Sequence, residues 1–515
     1  MQNFLAKNKT ILILAVIILL GTVTYINTLN NGFVWDDEFL ITNNLFITSF
    51  KYLPQTFTTN SGAGARRSDN FYRPMQQLSY TIIYSLVGIQ KWAFHLLNIV
   101  LHIGNAVLIF FLLKKLFKKE NLAFIASLLW LVHPIHTEAV DIMCGTADPM
   151  SVCFALGSFL LYLHFREKQN WKTYSASLFL FICALLSKET IIILPGLFVM
   201  YEFIFAKKKL ELKNYLWTIP FFAVAGVYFL LRLTVLNFVG HLSFYTVETI
   251  YTQHLYIRIL TFIAALIMYY SFLFYPVNLH MDRAFPVFTN ITWPIALSIA
   301  ILVVLAYATY RSIKAKNRVI GFGILWFFIC FIPMSGIIPV NAILLEHWLY
   351  FPSIGFFLII AYLLAKLYEK NKIIVIAIVV ILLAIMVPMT LSRNTVYKTP
   401  ITFYGDILKY GEGTARVHNN LAMAYSDAGN NALAEQHYLK AIEIDDTYPQ
   451  PHYNLAVQYA KDGLFDKAIS HLERSIEINP NFFYAYDLLA KIYAQKGDFE
   501  KAEYYKQAAG RIKYY

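Results

Sequence analysis

Apolar runs long enough to cross a bilayer recur from Ile11 to Met389 and then stop. A helix needs about 20 such residues to span the hydrocarbon, and lipid offers no partner to an unpaired backbone group. The larger part of the chain is therefore restricted to packed helices. Composition agrees, with 58% hydrophobic, 17% aromatic and only 14% charged residues. After Arg393 the sequence becomes polar and balanced in charge. The formal +12 therefore belongs to the membrane part, where it is an orientation code and not a nucleic-acid signal. The N-terminal run lacks a small-residue cleavage site and reads as an uncleaved anchor. Cys144, Cys153, Cys183 and Cys330 have no metal-type spacing and form no disulfide framework.

Basic residues mark one side of the membrane. Lys7 and Lys9 precede the first span, and Lys114, Lys115, Lys118 and Lys119 follow Trp92–Leu113. Arg166, Lys168 and Lys172, then Lys207, Lys208, Lys209 and Lys213, then Arg311, Lys314, Lys316 and Arg318, then Lys366, Lys370 and Lys372 continue the series. The positive-inside rule places them in the cytoplasm. The Asp36 loop, His133–Asp148, Lys188–Glu189 and Pro339–His347 then share the outer side. Parity requires that Ile257–Pro276 is not a simple span. It reads as a re-entrant or interfacial hairpin, which gives about eleven spans; a twelve-span alternative leaves one basic loop outside.

The polar tail carries a period of 34 residues. Leu421-Ala422, Leu455-Ala456 and Leu489-Ala490 are equivalent, as are Tyr425, Tyr459 and Tyr493, and Gly429, Gly463 and Gly497. This is the tetratricopeptide pattern, a stack of helix pairs with a concave groove suited to peptides. The expected division is 1–392 membrane domain, 393–415 linker and 416–515 repeat domain with three repeats, all α-helical.

The outer segments hold the chemistry-bearing residues. Asp36, Asp37 and Glu38 follow the first span; adjacent carboxylates repel, so they must stay hydrated or be paired. They suit proton removal or cation binding, against the simpler reading of a charged exit signal. Arg73, held by Pro74 at a helix start, suits an anion or a carboxylate. His95, Asn98 and His102 lie one turn apart and read first as core polar groups. In His133-Pro134-Ile135-His136-Thr137-Glu138 the proline breaks a helix, so that His133, His136 and Glu138 could converge. That cluster suits phosphate or proton transfer better than a metal, since it is not His-Glu-x-x-His. Gly145 permits close backbone approach, and Asp148 is expected to cap the next helix. Lys188 and Glu189 are adjacent and so need separate partners. Glu346 and His347 open a later span, and an aromatic interface belt does not account for them.

These motifs, in this order, resemble the transmembrane-and-tetratricopeptide-repeat O-mannosyltransferases and their bacterial relatives, of the GT-C glycosyltransferase fold. The His-Pro-Ile-His-Thr-Glu-Ala-Val block is the most specific; Tyr-Arg-Pro, Ser-Lys-Glu and Glu-His-x-Leu-Tyr-x-Pro-Ser support it. The resemblance implies a polyprenyl-phosphate-linked sugar donor, with the catalytic carboxylate on Asp36 or Asp37. It implies His133, His136, Glu138 and Lys188 as pocket residues, to which the residue reading adds Arg73, Glu189, Glu346 and His347 as donor- or phosphate-binding candidates. Two family arginines are replaced, by Thr146 and Trp348, which leaves open how donor phosphate is held and whether the sugar is mannose.

Transfer from a lipid phosphate needs cations for the leaving group, a base for the acceptor hydroxyl and a groove open to lipid. The expected activity is inverting sugar transfer, to protein, on the outer face of the cell inner (plasma) membrane, with the repeats on the same extracytoplasmic side. No cofactor is required by the sequence, and a divalent metal stays open. The alternatives are a lipid-linked oligosaccharide ligase or polymerase for surface glycans, and a non-enzymatic membrane scaffold using its repeats. A transporter is disfavoured because charge gathers at helix ends rather than at span midpoints.

Overall fold

The computed structural model describes residues 8–67, 69–205, 211–238, 249–338 and 342–512. Lys7, Lys207, Lys208, Lys209 and Pro339, read above as loop residues, lie outside them. The described residues form helices and loops without a strand. They divide into two units, Met1–Tyr397 and Lys398–Tyr515.

The first unit is a bundle of α1 (Lys9–Tyr25), α2 (Pro74–Val87), α3 (Lys91–Phe117), α4 (Glu120–Val132), α5 (Ala147–Lys168), α6 (Trp171–Leu185), α7 (Leu194–Phe205), α8 (Ile219–Leu233), α9 (Leu255–Phe274), α10 (Trp293–Lys314), α11 (Arg318–Phe331), α12 (Ser353–Lys370) and α13 (Lys372–Asn394). Among the described residues, seven helices are long and apolar enough to cross a membrane, or eight if α4 and the bent segment after it count as one. Many of their large apolar side chains face outward, among them Ile11, Leu86, Val303 and Ile373. That is the surface a bilayer would cover.

The two ends of the bundle differ. At one, Lys9 and Lys114 reach Glu120, Lys115 reaches Glu167, and Arg166 reaches Glu202. At the other lie the Asp36 loop, the 133–148 segment, the α6–α7 corner and the start of α12.

Between α4 and α5 the chain bends by 56° from α4 into the short segment Pro134–Asp141. Pro134 has no N–H, so the helix stops and its last carbonyls lose their partners. Side chains replace them. His102 meets Leu131 O at 2.9 Å, the Thr390 hydroxyl donates to Val132 O at 2.8 Å, and Asn98 donates to Val140 O and Ile142 O. Buried irregular backbone is stable at membrane depth only when its polar groups are satisfied in this way. Gly145 passes so close to Glu138 O and Ala139 O that a Cβ would crowd them, as its close approach required.

The first and last spans are locked by asparagines. Asn31 donates to Asn394 O at 2.9 Å, Asn394 donates to Thr24 O at 2.9 Å, and Asn27 donates to Leu391 O at 3.0 Å. The Asp36 loop therefore leaves α1 from a fixed point.

The expected hairpin at Ile257–Pro276 is corrected. α9 is one unbroken helix of 20 residues with no Gly or Pro to interrupt its hydrogen bonds. Its start meets the α11–α12 connection and its finish meets the first turn of α12. Arg258 donates to Gly336 O near its start, and Phe274 packs edge-on against Phe356 at its finish.

In the second unit, α14 (Pro400–Leu408) carries a capping box from Thr399 and Thr402. Asn420 donates to its Tyr404 hydroxyl. Three helix pairs follow, α15 (Ala415–Asp427) with α16 (Asn431–Ile444), α17 (Pro449–Lys461) with α18 (Phe465–Ile478), and α19 (Phe483–Gln495) with α20 (Phe499–Arg511). Gly429, Gly463 and Gly497 turn each pair at φ +78°, +75° and +78°, a region open to glycine and costly for other residues. Ala434, Ala468, Leu455 and Leu489 fill the buried stack.

Candidate active site

The three-acid motif separates into residues with different environments. Trp35 has φ +58°, a left-handed turn that folds Asp37 back onto its own loop. Asp37 is fully buried. Its carboxylate accepts the Val34 N–H at 2.9 Å and the Cys144 N–H at 2.6 Å, so it pins the first loop to the 143–146 segment. Burial pushes its pKa up to about 7; the two N–H donors act against this and the Asp36 charge adds to it. Asp36 is half-buried and Glu38 exposed.

Beside this loop, Arg73 forms a two-pronged pair with Glu189, at 3.0 and 3.4 Å. Pro74 opens α2 and sets the backbone that aims Arg73. Burial opposes the charge on Glu189, but Arg73 overrides it and holds the carboxyl at about 2. Lys188 turns the other way and reaches the Asp148 carboxylate at 2.6 Å. The adjacent pair thus finds two separate partners, as required.

Glu138 accepts both the His347 N–H at 2.9 Å and its imidazole Nδ1 at 2.7 Å. Glu346 accepts the His280 N–H and lies 3.9 Å from Arg283 and 3.8 Å from Arg393. Burial raises the Glu346 carboxyl to about 8; Arg393 and Arg283 pull it down and Glu138 pushes it up. A small cleft lies where Asp148 and His347 approach one another. Asp148, Ser151, Thr190 and His347 give it a polar side, and Val152, Ile191, Cys330, Met334 and Phe351 an apolar one.

Some expectations are corrected. His133 and His136 do not converge with Glu138 on the cleft. Both are fully buried, where the His136 ring packs on Trp130 and Tyr350 and the His133 ring on Phe357. The turn after Pro134 faces them inward; His133 accepts the Ile135 N–H. Asp148 does not cap α5. It sits inside the first turn, Thr146 holds the cap position, and Lys188 takes the carboxylate. Thr146, in a family arginine position, is buried with its hydroxyl on Asn98 and Met143 O. Trp348, in the other, is buried and lines the cleft. Among the described residues no group of three or more His, Cys, Asp or Glu side chains forms a metal shell.

Other residues were not singled out from sequence. Arg393, Arg283 and His280 surround Glu346, although Arg393 had been read only as the edge of the membrane part. Tyr350 links His102 at 2.8 Å and Asn105 at 3.1 Å. An Arg closing the last span was the available signal for the first; nothing local marks the others.

Residues 73–236 match the family model described as dolichyl-phosphate-mannose-protein mannosyltransferase. Residues 415–448, 449–482 and 471–504 match tetratricopeptide repeat models. A protein O-mannosyl-transferase of Caenorhabditis elegans is 28% identical over 450 residues, covering 85% of this chain and 63% of that protein. One of Homo sapiens is 27% identical over 480 residues, covering 83% and 51%. One of Mus musculus is 34% identical over 193 residues, covering 35% and 20%. The chain thus spans half to somewhat under two thirds of the length of the two relatives that match most of it.

Proposed function

We propose that this chain, a relative of the protein O-mannosyl-transferases, is a membrane glycosyltransferase that moves a sugar, with mannose the first candidate, from a polyprenyl-phosphate donor to a protein hydroxyl. The observation that carries this reading is that the carboxylate loop is tied by Asp37 to the Cys144 N–H, just before the helix whose Asp148 pairs with Lys188 and lines a cleft with His347.

In this reading Asp36 is the base and Asp37 the residue that positions it, because both Asp37 oxygens already accept backbone N–H groups. The acceptor oxygen attacks the anomeric carbon and its proton passes to the Asp36 carboxylate. The carbon–oxygen bond to phosphate breaks, and the electron pair leaves on the phosphate. Attack opposite the leaving group inverts the anomeric centre. Lys188 and Arg73 supply positive charge for that group, and His347 a polar contact. Asp148 holds Lys188, Glu189 holds Arg73 and Glu138 holds His347. His133 and His136 support the bend from within. The cleft's apolar side suits the first isoprene units of the lipid.

The basic end of the bundle faces the cytoplasm in this reading, and the site end faces out. Eleven crossings with α9 lying along the outer surface satisfy the loop charges, and α13 then delivers the repeats to the outer side. The domain boundaries proposed are those of the sequence reading, with the repeat groove presenting acceptor protein.

Mass spectrometry of exported proteins and surface glycans, with and without the chain, tests this. Hexose lost from Ser or Thr of exported proteins is expected. Unchanged proteins with altered surface glycans would move the assignment to a glycan ligase, and no change in either would overturn it.

A further inference from the structure

The repeat unit holds two histidine pairs that the sugar-transfer reading does not use. His418 and His437 face each other across the first helix pair with their Nδ1 atoms 2.9 Å apart. One repeat later, His452 and His471 do the same at 3.1 Å. Each pair is separated by 19 residues, and the two are 34 residues apart, so the same framework positions are used twice.

The rings are held from behind. His418 Nε2 lies 2.7 Å from Glu412 O, a group that only accepts, so that nitrogen carries the hydrogen. His452 Nε2 lies 3.2 Å from the Asp446 carboxylate, which Arg474 also holds. The buried His418 ring therefore presents a bare Nδ1 lone pair to the partner ring, and His452 stands in the same framework position with a carboxylate behind it. A histidine anchored through one nitrogen by a carbonyl or carboxylate and offering the other is the arrangement found behind metal-bound imidazoles. His437 and His471 are half-buried, which leaves each pair a side open to water.

Spacing selects the class of ion. Two nitrogens bound side by side at about 2.0–2.1 Å stand about 2.9 Å apart on a square-planar ion and about 3.3 Å apart on a tetrahedral one. The observed distances favour the square arrangement. The fold alone does not call for imidazoles here. In the third repeat the equivalent positions are Tyr486 and Tyr505, whose rings pack 6.4 Å apart in the same helix-pair setting.

We infer that the repeat unit carries two divalent transition-metal sites, His418 with His437 and His452 with His471, each completed by water and suited to an ion of tetragonal preference such as Cu²⁺. The inference is independent of the sugar-transfer reading.

Full-length protein in detergent, freed of any polyhistidine tag, is titrated with Cu²⁺ and followed by electron paramagnetic resonance. His437→Tyr and His471→Tyr install the residue that the third repeat already carries at this position. Two copper equivalents with nitrogen hyperfine structure are expected beyond those of the double variant, and each single variant should lose one. Circular dichroism checks that the helices remain; should the double variant lose them, the single variants decide alone. Equal copper binding in wild type and variants would overturn the inference. It would mean that each pair only shares a proton.

Discussion

The acidic motif shows how adjacent residues with the same side chain come to differ. Asp37 is closed in by two N–H donors and by burial; Asp36 stays half-buried. A carboxyl whose pKa is raised in the folded state from 3.8 to about 7 stabilises the fold only while protonated. That contribution is complete below the unfolded value and is lost as pH rises through about 7. Asp37→Asn should therefore flatten the dependence of melting temperature on pH between about 4 and 7, measured in detergent; a slope identical to wild type would contradict the burial argument. Glu189 has the opposite sign, held at about 2 by Arg73. Arg73→Ala leaves that carboxylate without its partner and should cost about 3 kcal/mol, the low end for a broken buried pair. Arg73→Ala with Glu189→Gln should recover much of the loss in the same melting assay. The residue types at the site were legible because charge at an apolar helix end is costly and so conspicuous. Their pairing was not, since Glu138 meets His347 from 209 positions away. For His133 and His136 the motif showed that the helix breaks and gave no sign of which way the rings face.

Among the elements, the helices were legible from hydropathy and the repeats from their period, because both signals are local. What α9 does depends on its neighbours: length and composition suit a crossing, whereas the loop charges suit a surface helix. Close helix approaches were also invisible in sequence. Gly323 on α11 and Gly355 on α12 cross so tightly that a Cβ on Gly355 would overlap Gly323 O. Backbone is a rigid obstacle, so Gly355→Ala should destabilise the bundle by about 1–3 kcal/mol. Gly405 on α14, where a Cβ meets nothing, serves as the control. Equal melting temperatures for the two alanine variants would refute the close crossing.

For the whole molecule, the two bundle ends carry the argument about sidedness. The described basic-loop pairs lie at one end and the cleft at the other, and the proposed odd number of crossings puts the repeats on the extracytoplasmic side. A reporter active only in the cytoplasm, fused after Tyr515, should stay dark; a strong signal would restore the twelve-span arrangement. The central claim is that Asp36 removes the proton in a sugar transfer on the membrane. Its most direct test is transfer by purified full-length protein from a labelled polyprenyl-phosphate sugar to acceptor polypeptide, comparing wild type with Asp36→Asn and Asp37→Asn. Asp36→Asn should lower the rate by about two to four orders of magnitude, the range for a lost general base, with unchanged insertion and melting. Asp37→Asn should fall by less. Full transfer by Asp36→Asn would contradict the account.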